Sequence, residues 1–112
     1  DSFLWRELDT VKVVGKSVAV TTFELLGLKS EAEDYLQELS IKFTKALKLY
    51  KQQSWDQAIK LFKETLELEY QRFPTLKGVK TNPSEIYIKR CQDYQELPPP
   101  PEWDGVFTLT SK

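Results

Sequence analysis

The sequence predicts a mixed, mainly α fold: an N-terminal β-hairpin, an antiparallel helical hairpin, a third helix and a Pro-rich extended C-terminal tail. Three observations carry this expectation. Two β-branched runs, Thr10 to Val14 and Val18 to Thr22, contain period-two segments on either side of Gly15-Lys16-Ser17. Apolar residues then recur at helical spacing from Leu36 to Tyr70, interrupted once around Gln53. Finally, Asn82-Pro83 reads as a helix start, and the four prolines Pro98 to Pro101 forbid a helix beyond them.

The hairpin strands are expected over residues 3–14 and 18–25. Leu8, Val11 and Val13 supply one apolar set and Val18 and Val20 the other. Phe23 and Leu25 resume the alternation after a one-residue slip at Thr21-Thr22, where a bulge is expected. Gly15 suits a turn that needs positive φ. A lone two-stranded hairpin is marginal in water, so these strands call for the rest of a sheet, which the sequence does not visibly contain.

Gly27-Leu28-Lys29 is a short linker. Ser30 with Glu33 has the spacing of a capping box, which predicts a first helix over 31–52 with the stripe Leu36, Leu39, Phe43, Ala46, Leu47 and Tyr50. Ser54 with Gln57 repeats the box. Trp55, Ala58, Ile59, Phe62, Leu66 and Tyr70 then extend a second helix to residue 72. The connection is so short that the two helices must pack antiparallel. Pro74 and Gly78 mark an irregular stretch. The third helix carries Tyr87, Ile88, Cys91 and Tyr94 on its apolar side and ends near Leu97. Residues 98–101 should be polyproline II, and 106–110 a short extended tail. The expected division is 1–27 for the hairpin, 28–97 for the helices and 98–112 for the strap and tail.

Composition narrows the chemistry. Lys plus Arg number 16 against 17 Asp plus Glu, a net charge of -1, so there is no basic field for a polyanion and nucleic acid is not an expected partner. There is no histidine, which removes the commonest general base and metal ligand. The single cysteine, Cys91, has no internal partner, in keeping with a reducing, cytoplasmic setting. No apolar run approaches the roughly 20 residues a membrane span needs, so no membrane contact is expected from this segment. The chain opens on Asp1 rather than Met, and the expectation is a piece of a longer polypeptide.

The spacing Phe43, Ala46, Leu49, Trp55, Ala58, Phe62 resembles a tetratricopeptide repeat, over roughly one repeat of about 34 residues. The chain departs from that pattern at Gln53, where the repeat has Gly, at Thr65, its third small position, and at Pro74, a displaced terminal Pro. One and a half repeats cannot stack into a deep groove. Phe43, Ala46, Trp55, Ala58 and Phe62 are therefore expected as core packing rather than as a peptide-binding surface.

The hairpin carries a second resemblance. Its run R-E-L-D-T-V-K-V-V-G-K-S-V-A-V-T-T-F-E-L, from Arg6 to Leu25, is similar to the closing hairpin of the catalytic domain in class III nucleotidyl cyclases. There the pattern is roughly R-E-L-x-x-V-x-V-K-G-K-x-x-P-V-x-x-Y-E-L. The ending Pro98 to Pro101, Glu102, Trp103, Asp104, Gly105, Val106 and Phe107 resembles the C-terminus of bacterial cyclases with a helical extension. The resemblance implies a non-catalytic regulatory or scaffolding segment of an adenylate cyclase, whose parent turns ATP into cyclic AMP and pyrophosphate with Mg or Mn. It implies the upstream catalytic domain as partner, a homodimer as an open further partner, and membrane anchoring, where present, through upstream segments. The family's lysine before the turn glycine reaches the nucleotide triphosphate. Here that place is Val14, and Lys12 and Lys16 flank it as candidates for phosphate proximity in the parent. The family's metal aspartates, base-selecting pair and Asn/Arg motif precede this hairpin in the resembled order. No catalytic residue, metal ligand or cofactor is therefore expected within these residues. The alternative is a free-standing tetratricopeptide-like interaction module unrelated to nucleotides.

Other motifs have plainer explanations. Gly15-Lys16-Ser17 lacks the Walker glycine five residues earlier, where Thr10 stands, and lies in a hairpin turn. Glu31, Glu33, Asp34 and Glu38 favour a helix N-terminus without any metal. Pro98 to Pro101 has a P-x-x-P spacing, but a strap across the helices anchored by Trp103 is the expected use.

Overall fold

The computed structural model describes residues 3–13, 18–77 and 82–109, and the expected turn at Gly15 lies outside them. The order is β1 (Phe3–Val13), β2 (Ala19–Leu28), α1 (Asp34–Lys51), α2 (Trp55–Arg72), a 3-10 turn at Pro74–Leu76, α3 (Pro83–Glu96) and β3 (Phe107–Leu109). This is the mixed, mainly α architecture expected, an antiparallel hairpin followed by three helices.

The sheet differs from expectation in four ways. β2 runs to Leu28, past the expected end at 25. The bulge sits on the opposite strand: Glu7 pairs with Phe23 and Asp9 with Thr22, which leaves Leu8 as the extra residue. Thr21 stays in register, its hydroxyl 2.9 Å from that of Thr10. A second irregularity, between Leu4 and Trp5, leaves Leu26 as the extra residue on β2 and turns it inward. The sheet also gains a third strand, because β3 pairs parallel to β1, Val11 beside Phe107 and Lys12 beside Thr108, giving the order β2-β1-β3. The tail expected as merely extended is thus part of the sheet.

α1 starts at Asp34, three residues later than expected, and the Ser30/Glu33 box is not formed. The turn that takes the chain off the sheet, closed by Glu31 N–H on Leu28 O at 3.0 Å, occupies Ser30, and Glu33 becomes the capping position without a side-chain bond. Ser54 likewise caps α2 by position but not by its hydroxyl. Asn82 behaves as expected: its side chain accepts from Glu85 N–H at 3.0 Å, with Pro83 at the first helical position.

Between α1 and α2 the chain closes as a Schellman turn. Ser54 N–H reaches Leu49 O and Gln53 N–H reaches Tyr50 O, which puts Gln53 in the left-handed region at φ 63. This is the place where a tetratricopeptide repeat carries Gly. The helical core comprises Phe43, Ala46, Leu47, Tyr50, Ala58, Phe62, Tyr87, Ile88 and Cys91. Ala46 and Ala58 are fully buried and let the helices approach, while Phe43, Phe62 and Tyr87 fill the space beside them, Phe62 stacked on Tyr87 at 5.0 Å. A second aromatic group joins Trp55, stacked on Tyr94 at 5.0 Å, to Tyr50 and Trp103. Trp103 anchors the strap here. Its indole N–H donates to Val106 O, and Gln53 donates its amide N–H to Pro100 O.

Candidate functional site

The hairpin has two unlike faces. On the inner face, towards the helices, Arg6 is buried at 2% exposure. Its Nε and Nη2 donate to Glu24 Oε1 at 2.9 and 2.7 Å, and its Nη1 and Nη2 donate to Glu69 at 2.9 and 3.1 Å. Arg72 donates to the other Glu24 oxygen at 2.9 Å. Glu69 also accepts from Ser84 Oγ, which lies 2.7 Å from the Thr65 hydroxyl. Two cations thus meet two carboxylates, and the fork of each guanidinium suits bidentate pairing. Burial disfavours the Arg6 charge, but the bonds and charges of Glu69 and then Glu24 outweigh it and raise its pKa. Burial likewise pushes Glu24 upward, yet Arg6 and Arg72 overcome that and hold it below the ordinary 4.5.

A second seam lies at the Leu8 bulge. Asp9 receives both terminal nitrogens of Arg90, at 2.9 and 2.8 Å. The Arg90 guanidinium lies 3.7 Å over the Phe107 ring, which ties α3 to β3 as well. The Tyr87 hydroxyl shares its proton between Leu8 O at 2.8 Å and Asp9 Oδ1 at 2.9 Å. Burial, followed by the charge of Asp9, raises the Tyr87 pKa, so the hydroxyl stays a donor.

The outer face is the reverse. Phe3, Trp5, Phe23, Leu25 and Leu28 stand together across the two strands, paired as Phe3 with Leu28 and Trp5 with Leu25, and are 40% to 58% exposed. Large apolar side chains gathered on one exposed face mark an interaction surface. The edges are unequal too. Along β1, Ser40 Oγ donates to Trp5 O at 3.0 Å, Tyr87 serves Leu8 O, and β3 pairs with 11–13. The far edge of β2 meets no strand among the described residues. Ala19–Leu28 contains no Lys, Arg or Pro, the residues that ordinarily protect such an edge. Of the apolar sets expected in the strands, Val18 and Val20 are exposed as well, and the larger surface beside them was not foreseen. The alternation Phe3, Trp5 before Arg6 was its signal.

Of the phosphate candidates, Lys12 sits on the central strand between Ala19 and Thr108, and Lys16 lies outside the described residues with Val14. Glu31, Glu33, Asp34 and Glu38 are exposed, Glu38 pairing with Lys42 at 2.7 Å. Among the described residues no three His, Cys, Asp or Glu side chains are arranged to hold a metal, and no helix is long and apolar enough to cross a membrane. Burial pushes the Cys91 thiol up to about 12, which leaves it an inert core residue. Phe43, Ala46, Ala58 and Phe62 lie in the core, with Trp55 and Trp103 packed against it.

No family model, curated protein or solved structure matches the chain.

Proposed function

We propose that this chain is the non-catalytic C-terminal segment of a class III adenylate cyclase. Its helices hold the last hairpin of the catalytic domain from behind and turn that hairpin's apolar face and open edge toward the remaining sheet. The observation that carries this is the inverted burial of the hairpin: Arg6 and Glu24 face inward while Phe3, Trp5, Phe23 and Leu25 face out. A hairpin completing its own small domain would bury the apolar face. One that completes a neighbour's sheet would look like this one. A second copy pairing on β2 would fill the edge but leave the apolar face bare, so a partner offering both a strand and a covering layer fits better. The sequence resemblance supplies that partner, the upstream catalytic domain, and with it the conversion of ATP to cyclic AMP and pyrophosphate by Mg or Mn. Lys12 and Lys16 then lie near the nucleotide phosphates, and the metal carboxylates come from upstream.

A second reading is favoured by one observation: among the described residues the helical core contains none from the hairpin, as an independent interaction module would require. The polypeptide that carries these residues separates the two. On the cyclase reading it makes cyclic AMP from ATP with Mg or Mn, this chain alone makes none, and Trp5→Lys abolishes the activity without lowering the melting temperature of the helices. A polypeptide whose upstream part is further helical repeats, and which forms no cyclic nucleotide, would favour the module.

A further inference from the structure

The hairpin and helices are joined by an unusual kind of contact. Among the described side chains of the two long strands, those buried are Arg6 and Leu26, and the helical core cluster includes neither. What joins the layers is directional: Arg6 to Glu69, Arg72 to Glu24, Arg90 to Asp9, Lys51 to Glu7 at 3.0 Å, and the hydroxyls of Ser40 and Tyr87 on strand carbonyls. Apolar burial outside the helical core is limited to Leu26 and Leu39 among the described residues, and a depression of about 260 Å³ lies between Leu8, Asp9 and Thr22 on the hairpin and Pro83, Ile86 and Tyr87 on α3. Contact of this polar kind is typical of parts that move relative to each other.

The Arg6 cluster sets which positions are allowed. Arg6 makes four donor contacts to two carboxylates and rests 4.7 Å over the Phe43 ring of the helical core. Sliding the strand by one residue would turn Arg6 outward, bring Trp5 inward and leave Glu69 buried without its cation. Intermediate positions are therefore excluded. The hairpin is either seated in this register or free. Buried ion pairs add little net stability compared with apolar packing, and their best-attested use is to specify one arrangement.

We infer that Arg6, Glu24, Glu69 and Arg72 form a latch, which seats the hairpin on the helices in a single register and opens to free it while the helical core stays folded. The inference goes beyond the cyclase proposal and holds whatever domain the hairpin completes. Where that proposal also holds, the latch is the route by which a change in α2 or α3 reaches the catalytic sheet.

Hydrogen exchange followed by mass spectrometry on the full 112-residue chain tests it. Glu69→Gln keeps the shape of the latch and removes one charge, while Glu67→Gln, exposed on the same helix, is the control. The expected result for Glu69→Gln is exchange about tenfold faster in β1 and β2, with the core of α1, α2 and α3 within about twofold of the parent, because local openings are measured separately from global ones. Glu67→Gln should change neither. Glu24→Gln, at the half-exposed end of the cluster, gives the same pattern more weakly. Acceleration of strands and helices in parallel would overturn the latch, as would unchanged strands or failure of both latch variants to fold.

Discussion

The helical region and the hairpin are stabilised by opposite means. Between α1, α2 and α3 the core contacts are mainly aromatic rings and alanines, closely packed, with Phe43, Ala46, Ala58 and Phe62 fully buried and one buried polar link, Ser84 to Thr65 and Glu69. Between the hairpin and those helices the contacts are charges and hydroxyls, each needing one geometry. Most of the hairpin's large apolar side chains, Phe3, Trp5, Phe23, Leu25 and Leu28, are exposed on the outer face, with Leu26 the buried exception among the described residues. The helices therefore have a core of their own, whereas the hairpin leaves most of its large apolar side chains exposed.

The sharpest way to break this comparison is to damage the core. Phe62→Ala removes a fully buried ring that meets Phe43 at 5.4 Å and Tyr87 at 5.0 Å, and should cost about 3–5 kcal/mol, enough to unfold or severely loosen the helices in a thermal melt. Trp55→Ala, half-buried against Tyr94, should cost nearer about 3 kcal/mol. Melting within ~2 °C of the parent for both would place the core elsewhere.

Removing residues 1–26 should do the opposite. The remaining chain is expected to keep its helical circular dichroism and sediment as a monomer, because the core loses no member. Loss of helix on truncation would make the hairpin an integral layer and erase the distinction between the two regions.

Acid should loosen the hairpin before the helices. Because Arg6 and Arg72 hold Glu24 below its ordinary value, the stability it contributes is complete above pH 4.5 and is lost as pH falls through the lower folded value. Protection of β1 and β2, taken relative to the intrinsic amide exchange rate at each pH, should therefore fall on acidification ahead of protection in α1 to α3. Simultaneous loss of both would count against separate modes of attachment.

The smallest expected effect is at Gln53. Gln53→Gly relieves a left-handed residue and should stabilise the α1–α2 turn by about 1 kcal/mol, while releasing the amide bond to Pro100 that steadies the strap. A melt that shifts downward would show the strap bond to outweigh the backbone strain.

Much of the helical part was legible because burial there follows one period. The stripe Phe43, Ala46, Leu47, Tyr50 and its partner Ala58, Phe62 are apolar at 3.6-residue spacing, and the Asn82-Pro83 start is local chemistry. The hairpin interface was not legible, because Arg6 and Glu69 are 63 residues apart and charged residues ordinarily read as solvated. A faint signal existed. Ala58, Phe62, Thr65 and Glu69 continue a single core stripe, so Glu69 occupies a position that an apolar side chain would normally fill. The extended conformation of 107–109 was legible, but its pairing with β1 left no signal, since three residues pairing across almost the whole chain have no local pattern. The Ser30 box misplaced the start of α1, because spacing alone cannot say whether the chain enters the helix at that serine, whereas Ser54 does mark the start of α2 without a side-chain cap bond.

The central claim is that the apolar face of the hairpin serves an interface and not the interior. Sedimentation velocity across a concentration series, with a thermal melt, compares the parent with Trp5→Lys/Leu25→Lys. The parent should self-associate as concentration rises, and the double variant should remain monomeric with an unchanged helical melting temperature. A variant that melts well below the parent would mean that Trp5 and Leu25 support the fold from within, and would contradict the account.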